Sequence, residues 1–167
     1  MNGTGVTVLV LVLALAAALG RAEGSSGDEG APADSTTRAR VLPIIERHLG
    51  RPYVWGSTGL KSYDCSGFVW RVMQESGIMI KRTTARKYFM CLPKVADEER
   101  WRFGNIVFFS HLKHCGIVDS PETFYHSATS TGTHLSRFDP LWRGRVAGVR
   151  AMPRGVAPDV GEGPDVE

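Results

Sequence analysis

The sequence predicts an α+β domain, helices first and an antiparallel sheet after them, on three observations. Apolar residues recur at the 3.6-residue helical period through the first half, period-two alternation replaces it beyond Trp101, and turn residues separate the later runs. No internal repeat is visible in that order.

The first helix is expected over Arg38 to Leu49, where Val41, Ile44, Ile45, His48 and Leu49 share a face and Gly50 stops the run; Pro43 places its start near Leu42. Residues 51 to 63 are a Gly, Ser and Thr loop holding Pro52, Tyr53, Trp55, Gly56 and Gly59. From Cys65 the positions Phe68, Val69, Val72 and Met73 keep helical spacing until Gly77, so Cys65 falls in the first turn of a second helix. A short helix over Thr83 to Met90 follows. Strands are expected at 105–109, 114–118, 123–128 and 145–151, with turns at Ser120-Pro121-Glu122 and around Gly132.

The 167 residues have room for one domain, and both ends differ from it in composition. Val6 to Leu19 is apolar apart from Thr7. A bilayer span needs roughly 20 residues, so this shorter run suits the core of a cleavable signal peptide, with small-x-small patterns at Ala18-Leu19-Gly20 and Gly20-Arg21-Ala22. The leader is atypical in carrying no Lys or Arg before Val6. Residues 1–22 are read as signal peptide and 23–37 as a disordered linker, 38–153 as the folded domain and 154–167 as a disordered acidic tail.

The folded part holds 18 Lys and Arg against 9 Asp and Glu, a net +9 where the whole chain carries +3. Such a domain suits an anionic partner, or is simply a solvated basic surface. Nucleic acid is disfavoured by the export signal and by basic residues that do not interleave with aromatics. Trp55, Trp70, Trp101 and Trp142 read as core or cleft walls.

The chemistry centres on Cys65. Unpaired N–H groups and the dipole of a first helical turn favour a thiolate, the nucleophilic form of cysteine. A thiolate nucleophile needs a base, and that base needs a third group to orient it. Five histidines are available. His48 lies on the first helix as a structural or exposed residue, His114 opens a strand facing opposite to Cys115, and His126 lies on the next strand. Neighbouring strands run about 4.8 Å apart, so rings on one face can hydrogen-bond. His111 is the rival base, and His134 and Arg137 could edge the cleft. Cys65, Cys91 and Cys115 form no zinc-site spacing; with Cys65 reserved, Cys91 and Cys115 are either a disulfide or two buried thiols.

Several segments occur together and in order: Pro52-Tyr53-Val54-Trp55-Gly56, Asp64-Cys65-Ser66-Gly67-Phe68-Val69, Arg82-Thr83-Thr84-Ala85, Gly104-Asn105-Ile106-Val107-Phe108-Phe109, His114-Cys115-Gly116-Ile117-Val118 and Phe124-Tyr125-His126-Ser127-Ala128. The series resembles the NlpC/P60 family of cell-wall cysteine peptidases, whose fold is a circularly permuted papain-like one. The resemblance implies Cys65 as nucleophile, His114 as base and later acid, and His126 as the residue orienting its ring. It places Tyr53 near the oxyanion hole and implies that Asp64 and Ser66 line the substrate cleft, although both also suit a helix cap. His111 then falls in a loop. Three departures stand out: Asn105 where the family has aspartate, Val118-Asp119 where a tyrosine is common, and Gly56-Ser57 where two glycines are common.

The function implied is that of an exported, monomeric peptidoglycan hydrolase cutting an amide of the stem peptide between γ-D-glutamyl and a diamino acid, with no metal or organic cofactor. The alternatives are a muramoyl-L-alanine amidase or an acyltransferase with the same three residues, and a non-catalytic wall-binding module.

Overall fold

The computed structural model describes residues 33–153, so the segments read as signal peptide and acidic tail, and most of the linker, lie outside the described residues. Helix α1 (Ala33–Arg47) buries Val41, Ile44 and Ile45. It starts at Ala33 and not near Leu42, so the end of the segment read as linker is helical, and Pro43 sits inside the helix. Proline removes one intrahelical hydrogen bond. Burial of Val41, Ile44 and Ile45 holds the helix on both sides of the proline, and upstream of it Arg38 donates to the Asp119 carboxylate at 2.7 Å and covers the Phe103 ring at 4.6 Å.

Helix α2 (Cys65–Glu75) is capped by Asp64, which accepts from the Gly67 N–H at 2.6 Å, and it sends Phe68, Val69, Val72 and Met73 fully into the core. Each such side chain contributes about 1.5–3 kcal/mol. Ser76 caps the C-terminus, and Gly77 follows with φ +79. Helix α3 (Ala85–Cys91) is capped by Thr84 and matches the expected short helix to within two residues.

Five strands make one antiparallel sheet in the order β4-β3-β2-β1-β5: β1 (Ile106–Phe109), β2 (His114–Ser120), β3 (Thr123–Ala128), β4 (Gly132–Arg137) and β5 (Val146–Arg150). The turn expected around Gly132 lies at residues 129–131, and strand β4, which starts at Gly132, is additional to the expected strands. Its sole large apolar residue, Leu135, is exposed, so the strand carries no core-facing alternation; continuous pairing with β3 from Thr123↔Arg137 to Ala128↔Gly132 holds it. Helix α4 (Pro140–Gly144) is also new. Asp139 caps it and Pro140 opens it, but it is too short to show a period.

The sheet is buried on both faces. Ile106, Phe108, Cys115, Ile117 and Tyr125 pack with α1 and α2, while Val107, Phe109, Val118, Phe124 and Val149 pack with Phe138, Trp101 and Trp142. Ser110, His111 and Leu112, in the turn between β1 and β2, have φ of 51, 57 and 69. No helix among the described residues is long and apolar enough to cross a membrane.

Candidate active site

Cys65 is the first residue of α2 and is 5% exposed. A first-turn N–H has no intrahelical acceptor and remains available to an incoming oxyanion. The Cys115 thiol donates a hydrogen bond to the Cys65 sulfur, and the His114 ring adds a hydrogen bond and a positive charge; together they outweigh burial and hold the Cys65 thiol down to about 5. Burial, with the Cys65 charge beside it, pushes the Cys115 thiol up, so Cys115 is a proton donor and not a second thiolate. All three cysteines are free, and Cys91 is bonded to the Tyr88 carbonyl at 3.6 Å; the Cys91–Cys115 disulfide does not form in this structure.

Period-two alternation accounts for the two strand neighbours of the sulfur. Cys115 belongs to the helix-facing core, and His114 packs on the other side against Phe109 and Trp142, with ring centroids 5.9 and 5.7 Å away. His114 Nε2 lies 2.8 Å from His126 Nδ1, and the rings stand nearly perpendicular at 84°. His126 is fully buried beneath Phe124 and Trp142, and burial, with the His114 and His134 rings nearby, holds it down to about 3. It is therefore a neutral ring with one N–H. A thiolate, an imidazole next to it and a neutral ring behind that imidazole are the parts required for nucleophilic acyl transfer.

Tyr53 is half-buried beside this group, and burial, followed by the negative charge of Cys65 and Asp64, pushes its hydroxyl up. It stays protonated at neutral pH and can donate. Asp64 and Ser66 are buried and bound within the protein. Asp64 accepts from the Gly67 and Gly56 N–H groups, from the Ser66 hydroxyl, and from Arg82 at 2.6 Å; Ser66 in turn accepts from Arg82 at 3.0 Å. This knot fastens the loop bearing Tyr53 to the start of α2. His111 is exposed in the β1–β2 turn, whereas His114 and His126 are the two histidines hydrogen-bonded to each other. His48 is structural, accepting or donating between Tyr63 Oη at 2.9 Å and Glu75 Oε1 at 3.0 Å.

The departures from the family pattern each have a local use. The Asn105 amide donates to the Glu99 and Arg100 carbonyls at 2.7 and 3.3 Å, which an aspartate cannot do. Asp119 takes the ion pair with Arg38, and the Ser57 hydroxyl bonds Ser62. Arg82 and Trp142 carry a signal in the sequence, the one within the motif series and the other as a cleft wall; Cys115 as a hydrogen-bond donor and Ser136, whose hydroxyl lies 2.8 Å from His126 Nε2, carry none, because their contacts depend on strand register.

Comparison with known proteins bears on the family and the fold. A sequence model of the NlpC/P60 family matches residues 50–151. Among curated proteins, the chain is 29% identical over 117 residues to a protein named "Probable peptidoglycan endopeptidase LytE" from Bacillus subtilis (strain 168), covering 67% of this chain and 34% of that one. It is 36% identical over 80 residues to "Probable endopeptidase p60" of Listeria seeligeri, covering 46% of this chain and 15% of that one. The chain thus spans about a third or less of these relatives. A crystal structure of an NLP/P60-family protein similar to lipoprotein, from Staphylococcus aureus subsp. aureus Mu50, superposes with a TM-score of 0.63 at 22% identity, over 78% of this chain and 46% of that one.

Proposed function

The chain belongs to the NlpC/P60 family, and from that premise we propose that it is an exported cysteine peptidase hydrolysing an amide of peptidoglycan stem peptides, between γ-D-glutamyl and a diamino acid. The observation that carries the reading is the Cys65 thiol, held down to about 5 beside His114, whose ring is in turn bonded to His126 at 2.8 Å. Relatives named for peptidoglycan endopeptidase activity supply the substrate class.

The Cys65 thiolate attacks the amide carbonyl, and the oxyanion is held by the Cys65 N–H and the Tyr53 hydroxyl. His114 gives its proton to the leaving amine, and then takes one from the water that hydrolyses the thioester. His126 holds the His114 ring. The +9 domain complements carboxylates of the wall, and the apolar run before residue 22 serves export; the protein acts as a monomer.

The test is mass spectrometry of soluble fragments released from purified peptidoglycan, with Cys65→Ala and His114→Ala as controls. Pieces ending in γ-D-glutamyl and pieces starting with a diamino acid, from the wild type alone, are expected. Cleavage at muramoyl-L-alanine would transfer the reading to an amidase, and binding without release would transfer it to a wall-binding module.

A further inference from the structure

We propose that Ser136 and His134 on β4 are positioning residues for the reaction: they continue the Cys65, His114 and His126 line to a backbone carbonyl at Gly132 and so fix which nitrogen of each ring carries its proton. The proposal rests on the reading of Cys65, His114 and His126 as the reacting set.

The polarity of the chain follows from its fixed end. The Gly132 carbonyl can only accept, so His134 Nδ1, 3.0 Å away, carries a hydrogen; the Thr131 hydroxyl lies 3.2 Å from the same nitrogen. A neutral His134 then has its lone pair on Nε2, which meets the Ser136 hydroxyl at 2.9 Å, closer than Thr131 Oγ1 at 3.5 Å. Ser136 has one hydrogen to give, and it goes to His134. Toward His126 Nε2, at 2.8 Å, the serine oxygen must therefore accept, so His126 is the Nε2–H tautomer. Its Nδ1 is left as an acceptor, and the facing His114 Nε2, at 2.8 Å, must donate.

The consequence reaches the chemistry. With Nε2–H of His114 committed to His126, Nδ1 is the nitrogen that exchanges a proton with Cys65. It takes the thiol proton to form the imidazolium and passes that same proton to the leaving amine; the Nε2 proton never moves. Without Ser136 nothing selects the His126 tautomer. The Nδ1–H form would set two donors against each other across 2.8 Å, disfavouring the imidazolium that the thiolate requires. Water is a poor substitute at His126, since the ring is fully buried. The fold supplies the geometry through register: β4 pairs with β3 so that His134 lies opposite His126 and Ser136 opposite Phe124, with both β4 side chains on the His126 face.

The experiment uses the full chain with Ser136→Ala, Ser136→Thr and His134→Phe variants, each checked for folding by circular dichroism. Two readouts need no peptidoglycan: the pH profile of Cys65 alkylation by iodoacetamide, and the ring 15N shifts of His126. The expected result for Ser136→Ala is a mixed His126 tautomer and alkylation near pH 6 slowed about tenfold, short of the ~10²–10⁴ that a general base contributes. Ser136→Thr should restore both, and His134→Phe should move both in the direction of Ser136→Ala. A pure Nε2–H tautomer with unchanged alkylation in folded Ser136→Ala overturns the proposal, as does equal impairment by alanine and threonine. Wild-type Cys65 that is no more reactive than Cys91 would overturn the proposed enzyme instead, while the His126 tautomer would still decide the role of Ser136.

Discussion

Gly116 lies directly opposite His126 in the pairing of β2 with β3, and a Cβ at position 116 would sit 3.1 Å from the His126 Cβ and 2.6 Å from the Tyr125 carbonyl oxygen. His114 is two residues earlier on the same face of β2, so the missing side chain is what leaves room for the two rings to meet across the strands. Gly116→Ala should therefore separate His114 from His126. Activity on peptidoglycan is expected to drop at least tenfold, with a stability loss of about 1–3 kcal/mol from overpacking. Denaturant melts and fragment release measure the two effects separately; full activity in the variant would show that the rings do not need this gap.

The Cys65 thiol, held down to about 5, sets the acid limit of the reaction. The thiolate is present at neutral pH and is lost as pH falls through that value, so Cys65 alkylation should decline with a midpoint near 5. The largest cause is the hydrogen bond from Cys115. Cys115→Ala should move the midpoint up and Cys115→Ser, which retains a donor, should leave it nearer the wild type. Coincident profiles for all three would assign the depression to His114 alone.

His126 predicts how stability depends on acid. Its folded-state value of about 3 lies below the ordinary 6.5. Between these, the unfolded ring binds a proton that the buried ring refuses, so the unfolded state holds more protons and stability rises with pH across this window. Acidifying from 7 toward 3 should cost on the order of a few kcal/mol through this residue. In urea melts at several pH values, His126→Gln should show a shallower acid decline than the wild type. An equally steep decline would place the acid sensitivity elsewhere.

The parts of this molecule legible in the sequence are those whose own side chains record their surroundings. Phe68, Val69, Val72 and Met73 show the buried face of α2, and Asp64 shows its start, because helix faces and caps are local properties. Cys65, His114 and His126 stood out through motif order. Strand β4 did not, since Gly-Thr-His-Leu-Ser-Arg has no alternation and is held by its neighbour's hydrogen bonds. Ser136 was illegible for the same reason: what makes it informative is a register relative to β3. The start of α1 is not legible because Pro43 is a local signal, whereas the Arg38 to Asp119 contact made by the turns before it spans 81 positions of sequence.

His111 and His114 are close in sequence, but the turn between β1 and β2 separates them. His111 is exposed with φ 57, a left-handed conformation that costs a non-glycine residue about 1 kcal/mol. Glycine adopts it without that strain, although it gains freedom in the unfolded chain. His111→Gly should therefore leave stability unchanged or raise it by up to about 1 kcal/mol, with peptidoglycan cleavage intact, whereas His114→Ala should abolish cleavage without unfolding the protein. A His111→Gly chain that folds normally and has lost activity would make His111 the reacting base and would reverse the assignment of the two residues.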